Sequence, residues 1–485
     1  MKFLSSARWL SVSLLVLVAY SQLFTSCNSE DVVLSGSAVQ LEFSRDTVLF
    51  DTVFTSIGST TQYFTVINPS KTGTVQIDEI RLAGGEESNY RLNVDGRQSN
   101  EASLIQIRPQ DSLFIFVEVT LDPTGNNLPV LITDSILFML GSKQEKVQLM
   151  AFGQDYHYID NSWIPTQTWT NDKPYVIYNS MGVDYDEELT IEAGCQLYFH
   201  KNSSLFVRGT LKVQGTTNEP VVFQGDRLES LYDEIPGQWG YIHFLPGSKY
   251  NEIDWAIIKN SVIGIQVDTF ATIEPCLRIS NTQIRNMTAV GLLAQGSKVS
   301  VDNTLFANCG QYAVVLSIGG EYNFNHCTIG NYYQFGNRVT PSLVLNNYYE
   351  DVNGNFQVRA LENAYFNNCI IYGSNENELV LDKYPNAFSI FNYHFENCLI
   401  RIEEDKLEDS ERMINCILNQ DPAFYNSFDQ NFALTENSPA RSSALVQASY
   451  LLPFDLSGRN RLTDGAPDVG AFEWFVGDGD ENESE

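Results

Sequence analysis

Two textures of apolar and polar positions divide the chain. From Val39 to about Gln154, apolar and polar residues alternate over short segments such as LEFSRDTVLF, TTQYFTVINPS, DSLFIFVEVTLDP and EKVQLMAFG, separated by turn-forming residues. A period of two puts every second side chain on one face of a strand, and several such strands at near-regular spacing predict a β-sandwich over residues 39–156.

From about Trp163 the pattern repeats instead. A small residue recurs at Ala256, Thr282, Thr304, Cys327, Cys369, Cys398 and Cys416, each followed two positions later by a large apolar one. Two of the steps, 304 − 282 = 22 and 327 − 304 = 23, match one turn of a β-solenoid. Immediately before these positions stand Trp255, Asn281, Asn303, His326, Asn368, Asn397 and Asn415. Asparagine enters the left-handed backbone region cheaply, because its short amide bonds locally, so it suits a sharp bend between strands. Bends stacked at the strand spacing of about 4.8 Å would let the amides of Asn281, Asn303, Asn368, Asn397 and Asn415 bond from coil to coil as a ladder.

The same alignment assigns three strands to each coil. Pre-bend strands read LRIS, VSVD, YNFN, AYFN and YHFE; post-bend strands read TQI, TLF, CTI, CII and CLI; late strands read GIQVD, GLLAQ, AVVLS, SLVLN and ELVLD. The predicted fold is all-β, a sandwich followed over residues 157–475 by roughly nine three-strand coils that bury one another's apolar edges.

Several strings carry resemblances. The opening segments LTIEAGCQLYF, SLFVRGTLKVQGTTNEPVVFQGD and GQWGYIHFLPGS, with Gly209, Gly215, Pro220, Trp239 and Gly240, resemble the first coils of bacterial right-handed parallel β-helices of the pectate-lyase-like superfamily. DPAF, the Ser438-Pro439 pair, FDLSGRNR and DGAPDVGAFE resemble their closing segment. In the N-terminal region the order FTVIN, IDEIRL, YRLNVDG and FIFVEV resembles immunoglobulin-like domains of the ASPM/SPD-2/Hydin type, which implies a spacer or adhesive module. The β-helix resemblance implies a family in which polysaccharide lyases and hydrolases are common.

The N-terminus changes the setting. Lys2 and Arg8 precede an apolar run from Trp9 to Val18 that is too short for a transmembrane helix and reads as a signal peptide over residues 1–26. It ends in Leu23, Phe24, Thr25, Ser26 and Cys27, which resembles a bacterial lipobox and implies acylation of Cys27 and anchoring to the outer membrane. The following Asn28, Ser29, Glu30 and Asp31, within a linker over residues 27–38, resemble the signal that exports Bacteroidetes lipoproteins to the cell surface. With 29 basic against 60 acidic residues the formal charge is −31, which argues against nucleic-acid partners and anionic glycans. The acidic tail, residues 476–485, is expected to be disordered.

Chemistry is sparser. Seven of the eight cysteines follow Cys27, and of these Cys327, Cys369, Cys398 and Cys416 fall in the inward column, where a thiol fills a small apolar slot. Cys309 falls in a turn and its role stays open. The histidines His157, His200, His243, His326 and His394 show no ligand spacing, so neither a metal of the zinc type nor any cofactor is expected. Calcium could bind between Glu350 and Asp351 or between Asp464 and Asp468, although solvated loop carboxylates are commoner. The paired-carboxylate motifs of polygalacturonase-like enzymes are absent from the sequence. The outward third position of the late strands reads Gln266, Leu293, Val315, Val344 and Val380, an apolar stripe expected to be covered. Two long loops flank SLVLN and carry Tyr332, Tyr333 and Arg338, then Tyr348, Tyr349, Asp351 and Arg359, suited to stack on sugar rings or to anchor a protein partner. Three readings follow: a non-catalytic surface lipoprotein binding a glycan or envelope partner; a polysaccharide lyase or glycosidase using Arg338 or Arg359 with Asp351; and a structural component of an outer-membrane assembly.

Overall fold

The computed structural model describes residues 32–475, except 37–38, 124, 126–128, 271–273, 386–387, 404–405, 407–409 and 464. The expected signal peptide, Cys27, the acidic tail and Asp464 lie outside the described residues. The chain divides into two compact units, Met1–Asp122 with Leu131–Gly153, and Pro123–Val130 with Gln154–Glu485.

The first unit is a sandwich of two mostly antiparallel sheets. A five-stranded sheet runs Glu42–Phe43, Gln62–Ile67, Ser112–Val119, Tyr90–Val94, Arg97–Gln98, and a six-stranded sheet centres on Gly73–Leu82 and Val130–Leu140. Phe64, Val117 and Leu92 of the first meet Phe50, Ile77 and Phe138 of the second in one buried core. Val32–Leu34, expected in the linker, pairs in parallel with Gly73–Val75 as an exposed edge strand. The boundary falls after Gly153, slightly before the expected residue 156.

The second unit is a β-helix-like solenoid of parallel strands. Among the described residues its pre-bend sheet has ten strands, from Gln167–Trp169 to Met413–Ile414, against the roughly nine coils expected. The post-bend and late sheets join into one 18-stranded path because the first strands serve both. Tyr175–Val183, for example, pairs through Tyr175–Ile177 with Leu197–Phe199 and through Met181–Val183 with Leu205–Val207. Like stacks on like inside: the Phe324, Phe366 and Phe395 rings lie 4.8 Å apart in succession, which is the spacing between strands. Cys327, Cys369 and Cys398 stack beside them as buried free thiols, and Cys309, left open above, is buried as well.

The bend column is a single file. Trp255, Asn281, Asn303, His326, Asn368, Asn397 and Asn415 all have φ between 48° and 55°. Their backbones bond across coils, Asn281 N to Asp302 O at 3.1 Å, Asn303 N to Asn325 O at 2.9 Å and Asn368 N to Glu396 O at 3.0 Å. A second column accompanies it, five residues further on: Asn260, Asn286, Asn308 and Asn331, all buried, at the corner between post-bend and late strands.

The amide ladder differs from expectation. Asn303 donates to Asn281 (2.7 Å) and Asn368 to His326 (2.9 Å), but several members of the column bond instead to the C-terminal segment, which runs back along this corner. Asn397 donates to Ser443 O (3.1 Å), Asn368 both donates to Leu445 O (3.1 Å) and accepts from Leu445 N (2.7 Å). His326 meets Ser449 Oγ (3.0 Å), and Asn303 accepts from Arg461 (2.7 Å). We call residues 420–475 the strap. It also covers the outer side of the post-bend sheet, where Phe432, Leu434, Val469 and Ala471 bury Leu305, Ala307, Ile370 and Leu399.

Burial under the strap, reinforced by the nearby Arg461 charge, holds the His326 imidazole well below its ordinary value of 6.5. The folded protein therefore keeps His326 neutral while the unfolded chain takes up a proton below pH 6.5, so this contribution is complete above that pH and erodes as pH falls. His326→Asn keeps a bend-forming residue and removes the titration. The expected result is that the drop in urea midpoint between pH 7.5 and 5 is smaller in His326→Asn than in wild type; equal drops would contradict it.

Candidate functional site

Most of the loop residues singled out from the sequence are engaged by other parts of the chain, and Arg338 is buried. Tyr332 packs against Phe424 and Phe432, with ring centroids 6.2 Å from each, and so holds the strap. Tyr333 lies beside Phe335 at 5.9 Å. Arg338 is buried in an ion pair with Glu378 at 2.5 Å. Tyr348 donates its hydroxyl to Asp382 at 2.9 Å. Asp351 accepts from the backbones of Asn355 (3.0 Å) and Asn353 (2.9 Å) and from the Gln357 amide (2.9 Å), which closes the hairpin Tyr348–Glu350/Phe356–Val358. Those bonds hold its carboxyl below the ordinary range. The Arg359 guanidinium lies over the Phe270 ring at 4.6 Å. Arg338, Arg359 and Asp351 are thus each committed to a different partner, and Tyr349 keeps an exposed ring.

The outer side of the late sheet is more informative. Strand register puts Trp163, Gly182, Phe206, His243, Gln266, Leu293, Val315, Val344 and Val380 in one file along the solenoid. The aliphatic stripe, expected to be covered, is half-exposed throughout. The reason is where the covering segments go: the strap lies on the post-bend side, and Arg338 draws its loop inward onto Glu378.

At the opening coils this face is aromatic. Gly182 lets Trp163 lie flat on the strand, since a Cβ there would fall 2.4 Å from the indole. Trp163 stays 46% exposed and Tyr185, on the adjoining turn, 59% exposed. The Arg208 guanidinium stacks 4.1 Å from the Trp163 centroid and 5.2 Å from that of Tyr185, with Asp184 at 3.8 Å. Phe206, Tyr241 and His243 continue the shelf with edge-on or tilted contacts between 5.5 and 6.0 Å. One coil further on, Asp268 fixes the His243 ring through Nε2 at 2.6 Å and accepts from Gln266 at 2.9 Å. Asp268 therefore orients a ring edge and completes a polar rim beside an apolar floor. Among the described residues no group of three or more His, Cys, Asp or Glu side chains is placed to hold a metal ion. None of the described helices is long and apolar enough to cross a membrane.

The shelf escaped the sequence analysis although GQWGYIHF supplies part of it. The signal was available: extending the late-strand register back through the opening coils aligns His243, Phe206 and Trp163 with Gln266.

No protein-family model matches the chain, and no curated protein matches it. Among solved structures, a protein of unknown function from Porphyromonas gingivalis W83 is similar at 9% identity and TM-score 0.17, over 26% of this chain and 60% of that one, less than two thirds of its length. The ASH/PapD-like domain 7 of human CEP192 is similar at 8% identity and TM-score 0.17, over 25% of this chain and 89% of that one. The catalytic domain of a GH87 α-1,3-glucanase in complex with nigerose is similar at 11% identity and TM-score 0.18, over 71% and 81%. At these TM-scores the likenesses carry no argument about activity.

Proposed function

We propose that this chain is a non-catalytic glycan-binding lipoprotein of the outer-membrane surface, whose late-sheet face receives an extended, uncharged saccharide. The observation that carries the reading is the open aromatic shelf of Trp163, Tyr185, Phe206 and Tyr241. Aromatic faces offer large contact area at little entropic cost, and polar groups at their edges, here Arg208, Asp184 and Asp268, can meet hydroxyls. A formal charge of −31 disfavours polyanions, so a neutral glycan is the matching class. We read the solenoid as a right-handed parallel β-helix and the sandwich as an immunoglobulin-like spacer behind a lipid anchor at Cys27. Binding without cleavage accords with the commitments of Arg338, Arg359 and Asp351.

The test is affinity electrophoresis of the protein lacking residues 1–31 through gels containing neutral polysaccharides. Retention is expected for at least one polymer, and Trp163→Ala should weaken it about tenfold, the equivalent of roughly 1.4 kcal/mol. No retention by any polymer, or full retention of Trp163→Ala, would end the reading. For the anchor, Cys27→Ser in the complete chain should move the protein out of the membrane fraction.

A further inference from the structure

A cleft of about 440 Å³ lies on the post-bend side, away from the shelf's file of residues. Its floor is Gln283 and Arg285 with Asn286 and Asn308 of the second asparagine column, and its walls come from three separate stretches around Glu234, Phe335 and Phe428–Gln430. Hydrogen bonds join these distant stretches. Glu234 accepts from Arg285, Asn286 and, at 2.9 Å, Gln430. Arg285 also donates to Gln430 (2.7 Å), and Gln334 donates to Phe428 O (2.6 Å).

The exposed rings of the cleft point to a ligand. Phe335 and Phe428 line it yet remain 53% and 70% exposed. The lining sets the Glu234 and Asp429 carboxylates against the single Arg285 cation, so the ligand should carry no negative charge. The volume lies in the usual range for small-ligand sites, roughly 300–1,000 Å³.

We infer that this cleft is a second carbohydrate site, which takes an uncharged mono- or disaccharide with its ring against Phe428 and its hydroxyls donating to Asp429. This goes beyond the shelf reading and does not depend on it. Phe428 and Asp429 sit on a turn of the strap's hairpin, Phe424–Asn426 with Asn431–Leu434, so both can be changed without opening the core.

The test is saturation-transfer NMR on the full chain with glucose, galactose, mannose, N-acetylglucosamine and their disaccharides, and glucuronate as the anionic probe. At least one neutral sugar should bind, at least tenfold more weakly in Phe428→Ala and Asp429→Asn, and unchanged in Trp163→Ala. The inference is overturned if no neutral sugar binds, if glucuronate binds as well as the neutral sugars, or if both cleft variants bind as wild type. Loss of binding in Trp163→Ala alone would assign the sugar to the shelf and equally overturn it. Thermal midpoints of the variants, expected to match wild type, establish that the fold is intact.

Discussion

Arg338→Met should lower stability by about 3–5 kcal/mol, seen as a large fall in the urea midpoint. Arg338 and Glu378 are 1% and 0% exposed, and two charge-assisted bonds of 2.5 and 2.8 Å join them. Glu378 also accepts from Ser342 N (2.8 Å), Ser342 Oγ (2.6 Å) and Asn375 N (2.7 Å), so it organises the start of a late strand as well as the loop. Removing the guanidinium leaves a buried carboxylate with neutral donors only. Arg338→Met with Glu378→Gln should recover part of the loss, because the amide oxygen still accepts from the backbone while the unpaired charge is gone. A single-variant loss under about 1 kcal/mol would return Arg338 to the candidate ligand residues.

Arg461→Met should be comparably costly, again about 3–5 kcal/mol, and should open the strap. Arg461 is 0% exposed, pairs with Glu473 at 2.5 Å and donates to Asn303 Oδ1 at 2.7 Å, so one side chain joins the strap to itself and to the bend column. Asp455 anchors the same clasp by accepting from Glu473 N at 2.8 Å. Loosening it would expose Leu305, Ala307, Ile370 and Leu399, and the strap would unfold at a free energy below that of the coils. Native-state proteolysis should then cut first within residues 420–475. An unchanged midpoint and cleavage pattern would show that the clasp does not hold the strap.

The architecture was readable in the sequence because its determinants are local. A bend at Asn281 or Asn368 depends on the residue's own φ, and the alternation in YNFN or GIQVD fixes which side chains enter the core, so no distant information is needed. The second asparagine column was equally local but unread, although each member follows the first column by five residues, as 286 − 281 = 5 and 308 − 303 = 5. The candidate site was less accessible. Whether Arg338 points outward is decided by Glu378, 40 residues on, and whether Tyr332 is free is decided by Phe424 and Phe432 of the strap. The strap's course could not be read from the coils at all, and it is what leaves the late sheet open and closes the post-bend side. His326 interrupts the asparagines for the same kind of reason, since its partner Ser449 lies 123 residues away.

A stack of like turns ordinarily gains or loses members by duplication and deletion, each repeat touching its neighbours alone. Here Ser443, Leu445, Ser449 and Arg461 meet successive corners in reverse order, so an added or deleted turn between Asn303 and Asn397 would put every later pairing out of step. Over this stretch, evolution can vary the loops freely but can change the number of turns only by resizing both limbs together.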